Sequence, residues 1–315
     1  MGKIAFIFPG QGSQTVGMGK ELAGNHEKSR TLFNKADELL GYSLSEIMFE
    51  GPKEVLTKTV NAQPALLTSS TALLDLFRES GIEADYAAGH SLGEYSALVA
   101  AGAISFEEGV SIVRKRGEFM EAAVPDGLGT MAAVLGLERG PLAEAVAAVT
   151  AEGYPVQLAN INCPGQIVIS GTADGVRLAG EKAKEAGAKR VLPLEVSGPF
   201  HSSLMEPAAQ KLSDVLNGAH IKDASVPVIA NADAMPMQNA ETIKSNLVKQ
   251  LYSPVLWEDS VRKMIELGVD TFIEFGPGKV LGGLVKKISR DVKTYSVSDE
   301  QSCMETIAAL KEEKQ

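Results

Sequence analysis

Asp85-Tyr86-Ala87-Ala88-Gly89-His90-Ser91-Leu92-Gly93-Glu94-Tyr95-Ser96-Ala97-Leu98 is the stretch from which the fold of this 315-residue chain is worked out. A short apolar run ends at Gly89, and a small-residue helical run follows from Glu94 to Ala101. Between them stands G-x-S-x-G in the strand–turn–helix context that carries a serine on a sharp turn with its hydroxyl exposed. Gly89 and Gly93 leave no Cβ where the incoming strand and the outgoing helix crowd each other. The helix start offers unpaired backbone N–H groups, here that of Leu92, to an oxyanion forming beside the serine. Ser91 is therefore the candidate nucleophile. The alternative is an ordinary turn serine, since glycine and serine are common in turns.

Outward from the elbow, residues 3–8 read as a buried strand followed by a glycine-rich loop from Gly10 to Gly19. Helical patterns occupy about 27–40, 61–80 and 106–122. The cluster Pro125-Asp126-Gly127-Leu128-Gly129 then punctuates the chain. Beyond it the order becomes strand 130–137, helix 141–152, strands 156–161 and 166–170 joined by Asn162-Cys163-Pro164-Gly165, helix 174–186 and strand 189–196. That β-α-β-β-α-β order is the ferredoxin-like unit. After Ser197-Gly198-Pro199 the helix–strand alternation resumes, with strands near 226–230 and 271–275. The expected class is α/β with a mostly parallel sheet. One unit is inserted in another: residues 1–126 and 198–315 form the larger, discontinuous subdomain and 127–197 the smaller.

Composition narrows the function classes. A 44% hydrophobic and 22% charged chain of this length can bury a sizeable core. A formal net charge of −10 disfavours general binding to nucleic acid or to an anionic membrane. No run approaches the ~18 apolar residues of a membrane span. Met1-Gly2-Lys3-Ile4-Ala5-Phe6-Ile7-Phe8 lacks a signal-length stretch and does not fit a myristoylation pattern. Cys163 and Cys303 have no metal or redox spacing. The expectation is a soluble cytoplasmic protein.

A serine nucleophile needs a base, and histidine is the usual one near neutral pH. His26 lies in a polar segment, His220 near a helix end, and His90 beside Ser91 but pointing away from it on the elbow. His201, in Ser197-Gly198-Pro199-Phe200-His201-Ser202-Ser203, sits on the loop that returns the chain from the insert, where clefts form. It is the candidate base. Gly10-Gln11-Gly12-Ser13-Gln14 fails the dinucleotide pattern at Thr15 and is no phosphate-binding loop. The loop reads either as a tight turn between the first strand and a helix or as the source of a second oxyanion donor, the Gln11 backbone N–H opposite Leu92. On the helix 106–122, Arg114 and Arg116 flank the apolar face of Phe106, Val110, Val113 and Met120 about equally. Either could take a carboxylate bidentately, with Gly117 allowing close approach beside Arg116.

Several segments then resemble one family together. They are Phe8-Pro9-Gly10-Gln11-Gly12-Ser13-Gln14, Gly89-His90-Ser91-Leu92-Gly93-Glu94-Tyr95, Arg116-Gly117 and Asn160-Ile161-Asn162-Cys163-Pro164-Gly165-Gln166. Pro199-Phe200-His201, Gln250-Leu251-Tyr252-Ser253-Pro254-Val255 and Phe275-Gly276-Pro277-Gly278 complete the set. Their order and approximate spacing, from Ile4 to about Ile288, are those of the malonyl-CoA:acyl carrier protein transacylases. The resemblance implies an α/β-hydrolase-like larger subdomain with a ferredoxin-like insert. It implies Ser91 as nucleophile, His201 as base, Arg116 as the substrate-carboxylate clamp, and Gln11 and Leu92 as oxyanion donors. In place of a triad carboxylate, the backbone carbonyl of Gln250 receives the second N–H of His201. Phe200 walls the acyl pocket, as a selector of malonyl over methylmalonyl donors.

Malonyl-CoA and acyl carrier protein are the implied partners, with fatty-acid synthesis as the default use. No metal or redox cofactor is expected, the CoA thioester being a substrate, and the chain is expected to act as a monomer. Because the carrier is acidic and the chain is too, docking calls for a local basic patch. Lys286 and Lys287, with Arg290, and Arg190, with Lys189, are the candidates. The competing readings are a polyketide-pathway acyltransferase, a thioesterase with a dedicated acidic partner, and a non-catalytic carrier-binding scaffold.

Overall fold

Ile4-Ala5-Phe6-Ile7-Phe8 is buried at every position, the pattern of a strand with helices on both faces. A computed structural model, which describes residues 2–125 and 127–312, puts this strand inside the larger sheet. Met1, Asp126 of the punctuating cluster, and residues 313–315 of the tail lie outside the described residues.

From the N-terminus, β1 (Lys3–Phe8) leads to the short helices α1 (Lys20–Asn25), α2 (Glu27–Leu40), α3 (Leu44–Glu50) and α4 (Lys53–Thr57). The long α5 (Thr59–Arg78), β2 (Tyr86–Gly89), α6 (Leu92–Ala100) and α7 (Phe106–Ala122) follow. The next segment is β3 (Gly129–Leu135), α8 (Arg139–Ala151), β4 (Val156–Cys163), β5 (Gln166–Thr172), α9 (Ala173–Glu185) and β6 (Arg190–Pro193). The chain then returns through α10 (Glu206–Gly218), β7 (Val228–Ile229), β8 (Pro236–Met237), α11 (Ala240–Gln250) and α12 (Trp257–Glu266). It ends with β9 (Val269–Phe275), α13 (Val280–Ile288), β10 (Lys293–Val297) and α14 (Glu300–Glu312).

The larger sheet has the order β10-β9-β1-β2-β7-β8, parallel throughout except for the β7–β8 pair. Phe6, Phe77 and Phe275 meet edge to face on one side, with ring centroids 4.9–5.7 Å apart. Trp257, Phe272 and Leu281 belong to the core on the other. With Phe8 paired to Gly89, β1 and β2 end at the same edge, so their following turns deliver Gln11 and Ser91 side by side. Ligands of open α/β sheets bind at this carboxyl edge.

The smaller sheet has the order β4-β5-β3-β6, with every pair antiparallel. Its central strands, β3 and β5, are the first and third of this segment in chain order, the split βαβ arrangement expected from the sequence. All four strands fall between residues 129 and 193.

Several expectations differ in detail. The helices at 20–25, 44–50 and 53–57 are too short to show a 3.6-residue period and were not anticipated. The strand expected over 189–196 stops at Pro193, which has no N–H to continue the ladder. The long helix begins at Thr59 rather than 61.

Candidate active site

The two elbow glycines are required by space. A Cβ on Gly89 would stand 1.9 Å from the Gly93 backbone, and one on Gly93 would stand 2.0 Å from the Phe8 carbonyl oxygen. Ser91 is squeezed between them at φ 52°, ψ −107°. Such a conformation costs a non-glycine residue about 1–3 kcal/mol and persists only where the surroundings over-determine it. Here Asn231 Oδ1 accepts the Ser91 N–H at 2.7 Å, while Gln250 Nε2 donates to the Ser91 carbonyl at 2.9 Å.

His201 is also held in the left-handed region, at φ 56°, and is 3% exposed. Its Nδ1 lies 2.9 Å from the Gln250 carbonyl oxygen and its Nε2 lies 2.8 Å from Ser91 Oγ. A carbonyl only accepts, so Nδ1 carries the proton and the Nε2 lone pair faces the serine hydroxyl. Burial, and then the Arg116 cation, push the His201 pKa down to about 3 against the pull of the Gln250 carbonyl. The ring is thus neutral at physiological pH and able to accept the Ser91 proton.

Arg116 is 1% exposed. Its Nη1 donates to Gln63 Oε1 at 2.7 Å, and its Nη2 to Ser91 Oγ at 3.0 Å and Gln250 Oε1 at 2.9 Å. The Nε–H has no acceptor among the described residues. Gly117 explains how the arginine gets there: α7 passes so close to α5 that a Cβ would lie 3.0 Å from Val60 Cα. Arg114 turns the other way, to Glu118, the Val60 carbonyl, Tyr42 and Asn61. The geometry therefore separates two arginines that periodicity leaves equal.

Ser91 and His201 open onto a cleft of about 800 Å³, and Arg116 stands behind its lining, in contact with Ser91 Oγ. Gln11 lines it, its side chain anchored to Thr59 Oγ1 at 3.1 Å. Leu92 is the first residue of α6, so its N–H has no acceptor within the helix. Phe200, buried, forms the apolar wall with Met120, Met131 and Leu194. Lys53 brings a cation to the same lining.

His90 also lines the cleft, but its Nε2 lies 2.8 Å from Asn162 Oδ1 and its ring packs on Trp257, away from Ser91 Oγ. The remaining candidates fall elsewhere. His26 caps α2 beside Glu300, and His220 is exposed. Lys286, Lys287 and Arg190 do not line the cleft; Lys286 donates to the Val292 carbonyl and Lys287 to Gln166.

Three residues of the site were not singled out from sequence: Gln63, Asn231 and the buried Glu94. Glu94 carried a faint signal, a carboxylate in the first turn after the elbow, where a helix favours negative charge. Gln63 and Asn231 carried none, because only the tertiary fold brings them near Ser91.

The family model described as acyl transferase domain matches residues 5–310. The chain belongs to the acyl transferase family. This acyl transferase is 61% identical over 313 residues, 99% of both chains, to a Bacillus subtilis protein named malonyl CoA-acyl carrier protein transacylase. It superposes with a TM-score of 0.94 on an acyl carrier protein S-malonyltransferase from Vibrio cholerae, at 45% identity over 96% of this chain and 99% of that one. It superposes equally well, with a TM-score of 0.95 and 43% identity over 98% and 99%, on a malonyl-transacylase in complex with a holo type II PKS acyl-carrier protein.

Proposed function

We propose that this acyl transferase moves the malonyl group of malonyl-CoA onto the phosphopantetheine thiol of acyl carrier protein, supplying fatty-acid synthesis. The observation that carries the reading is one atom: Ser91 Oγ lies 2.8 Å from His201 Nε2 and 3.0 Å from Arg116 Nη2. Nucleophile, base and a buried cation converge, which suits an acyl donor with a free carboxylate close to its thioester. The names of relatives at up to 61% identity point the same way.

Malonyl-CoA enters with its carboxylate on Arg116. The Ser91 hydroxyl gives its proton to His201 Nε2 as Oγ attacks the thioester carbonyl carbon. The Leu92 and Gln11 N–H groups receive the resulting oxyanion. The C–S bond breaks, His201 returns the proton to the departing CoA thiolate, and malonyl-Ser91 remains. The carrier thiol then repeats the steps in reverse, a double displacement. Thioester and serine ester are close in energy, so the chemistry calls for no metal or redox cofactor. All these groups come from one chain, so the reading needs no residue from a second copy. The lining of the cleft combines residues of 1–126 and 198–315 with Met131, Asn160 and Leu194 from 127–197. That supports reading the latter as an inserted subdomain.

The purified enzyme mixed with malonyl-CoA tests the reading. With holo-carrier present, malonyl-carrier accumulates; without it, CoA release stops once the enzyme is loaded. Continuous CoA release without a carrier would instead identify a thioesterase.

A further inference from the structure

The two side chains that hold the strained Ser91 share a further partner. Asn231 takes the Ser91 N–H through Oδ1 and donates its Nδ2 to the Gly89 carbonyl at 2.7 Å. Gln250 donates Nε2 to the Ser91 carbonyl. Both then reach Glu94 Oε2, the Asn231 backbone N–H at 2.9 Å and Gln250 Nε2 at 3.0 Å. Glu94 is fully buried in the first turn of α6, and these bonds go to holders of the nucleophile rather than to a reacting atom.

We propose that Glu94 is a positioning residue for acyl transfer: by accepting from Asn231 and Gln250 at once, it fixes the elbow and the orientation of the Gln250 carboxamide. The inference rests on the transacylase reading. A carboxamide has a donor end and an acceptor end of almost equal shape. Gln250 works only with Oε1 toward Arg116, at 2.9 Å, and Nε2 toward Ser91. Turned over, its NH₂ would meet the guanidinium N–H groups and its oxygen the Ser91 carbonyl. An ionised carboxylate only accepts, so Glu94 admits the working orientation alone. The donor chain Arg116 to Gln250 to Glu94 thus ties the cation that receives the substrate carboxylate to the backbone of the nucleophile. Within such a chain each bond polarises the next.

The groups around Glu94 set its charge. Burial raises its pKa to about 7, opposed by the Asn231 and Gln250 bonds and by Arg116 on α7, and assisted by Asp233 after β7. Tyr95, next to it on α6, and His201, beyond Gln250, are neutral at that pH. Glu94 Oε1 has no partner among the described residues, so a proton there breaks neither bond but removes the charge that strengthens both. Malonyl loading is therefore expected to weaken as pH falls through about 7, with Glu94 as the cause.

The test measures single-turnover loading of the full-length enzyme from malonyl-CoA and from acetyl-CoA, between about pH 5.5 and 8.5. Glu94→Leu leaves the buried Asn231 N–H unpaired and strips Gln250 Nε2 of the acceptor that fixes its orientation, so malonyl loading falls about 100-fold and the malonyl-to-acetyl rate ratio falls with it. Glu94→Gln keeps an acceptor oxygen, stays within about tenfold of wild type, and loses the decline below neutral pH. A merely structural role would shrink the fraction of enzyme that reacts and leave the donor ratio unchanged, which overturns the proposal. Should Glu94→Leu not fold, an unchanged pH profile in Glu94→Gln overturns it. Wild-type enzyme that takes no malonyl from malonyl-CoA would overturn the transacylase reading instead.

Discussion

Arg116 and the basic edge formed by Lys286, Lys287 and Arg190 carry the same charge under opposite conditions. Arg116 is buried, its Nη groups committed to Gln63, Gln250 and Ser91. Lys286, Lys287 and Arg190 are exposed, and the two lysine ammonium groups are tied back to Val292 and Gln166. A buried cation acts through a fixed position in a low-dielectric site, and its loss leaves an anionic ligand unpaired. An exposed cation acts through a field that salt screens within about 10 Å. Substitutions in the cleft should therefore change the chemistry steeply, and those at the edge should change only encounter with a charged partner.

The steepest break in that contrast is expected at His201. His201→Ala removes the base and leaves Ser91 with Arg116 alone, and loading should fall by ~10⁴ or more in pre-steady-state assays. A tenfold loss would place the proton elsewhere. Next comes Arg116→Ala, where malonyl loading should lose about 3–5 kcal/mol, a factor of several hundred or more, because the donor carboxylate goes unpaired. Acetyl loading should suffer far less. Equal losses for both donors would reduce Arg116 to a packing role. The smallest effect belongs to the edge: Lys287→Glu should raise the KM for acyl carrier protein a few-fold, roughly 1 kcal/mol or less. Salt should then weaken the enzyme less, and loading from malonyl-CoA should be untouched. A matching fall in loading would erase the distinction between cleft and edge.

The same contrast explains what could be read without the fold. Helix Phe106–Ala122 was legible because Phe106, Val110, Val113 and Met120 repeat at helical spacing. The elbow was legible because two glycines bracket Ser91 where no Cβ fits. His201 could be chosen by its place at the junction, but not its left-handed backbone or its bond to the Gln250 carbonyl, which need α11 to end beside it. Arg114 and Arg116 were indistinguishable because periodicity measures angle around one helix. Their fates were decided by the approach of a second helix at Gly117. Glu94 lay within the elbow segment yet was not singled out, since a carboxylate in a first helical turn is normally solvated. Here its partners, Asn231 and Gln250, lie more than 130 residues away.

Acyl transfer by way of Ser91 Oγ would leave a malonyl ester on the enzyme, which mass spectrometry of the enzyme mixed with malonyl-CoA detects. One added malonyl group is expected, mapped to the peptide that contains Ser91, discharged by holo-acyl carrier protein and absent from Ser91→Ala. Malonyl retained in Ser91→Ala, or mapped to another residue of wild type, would contradict it.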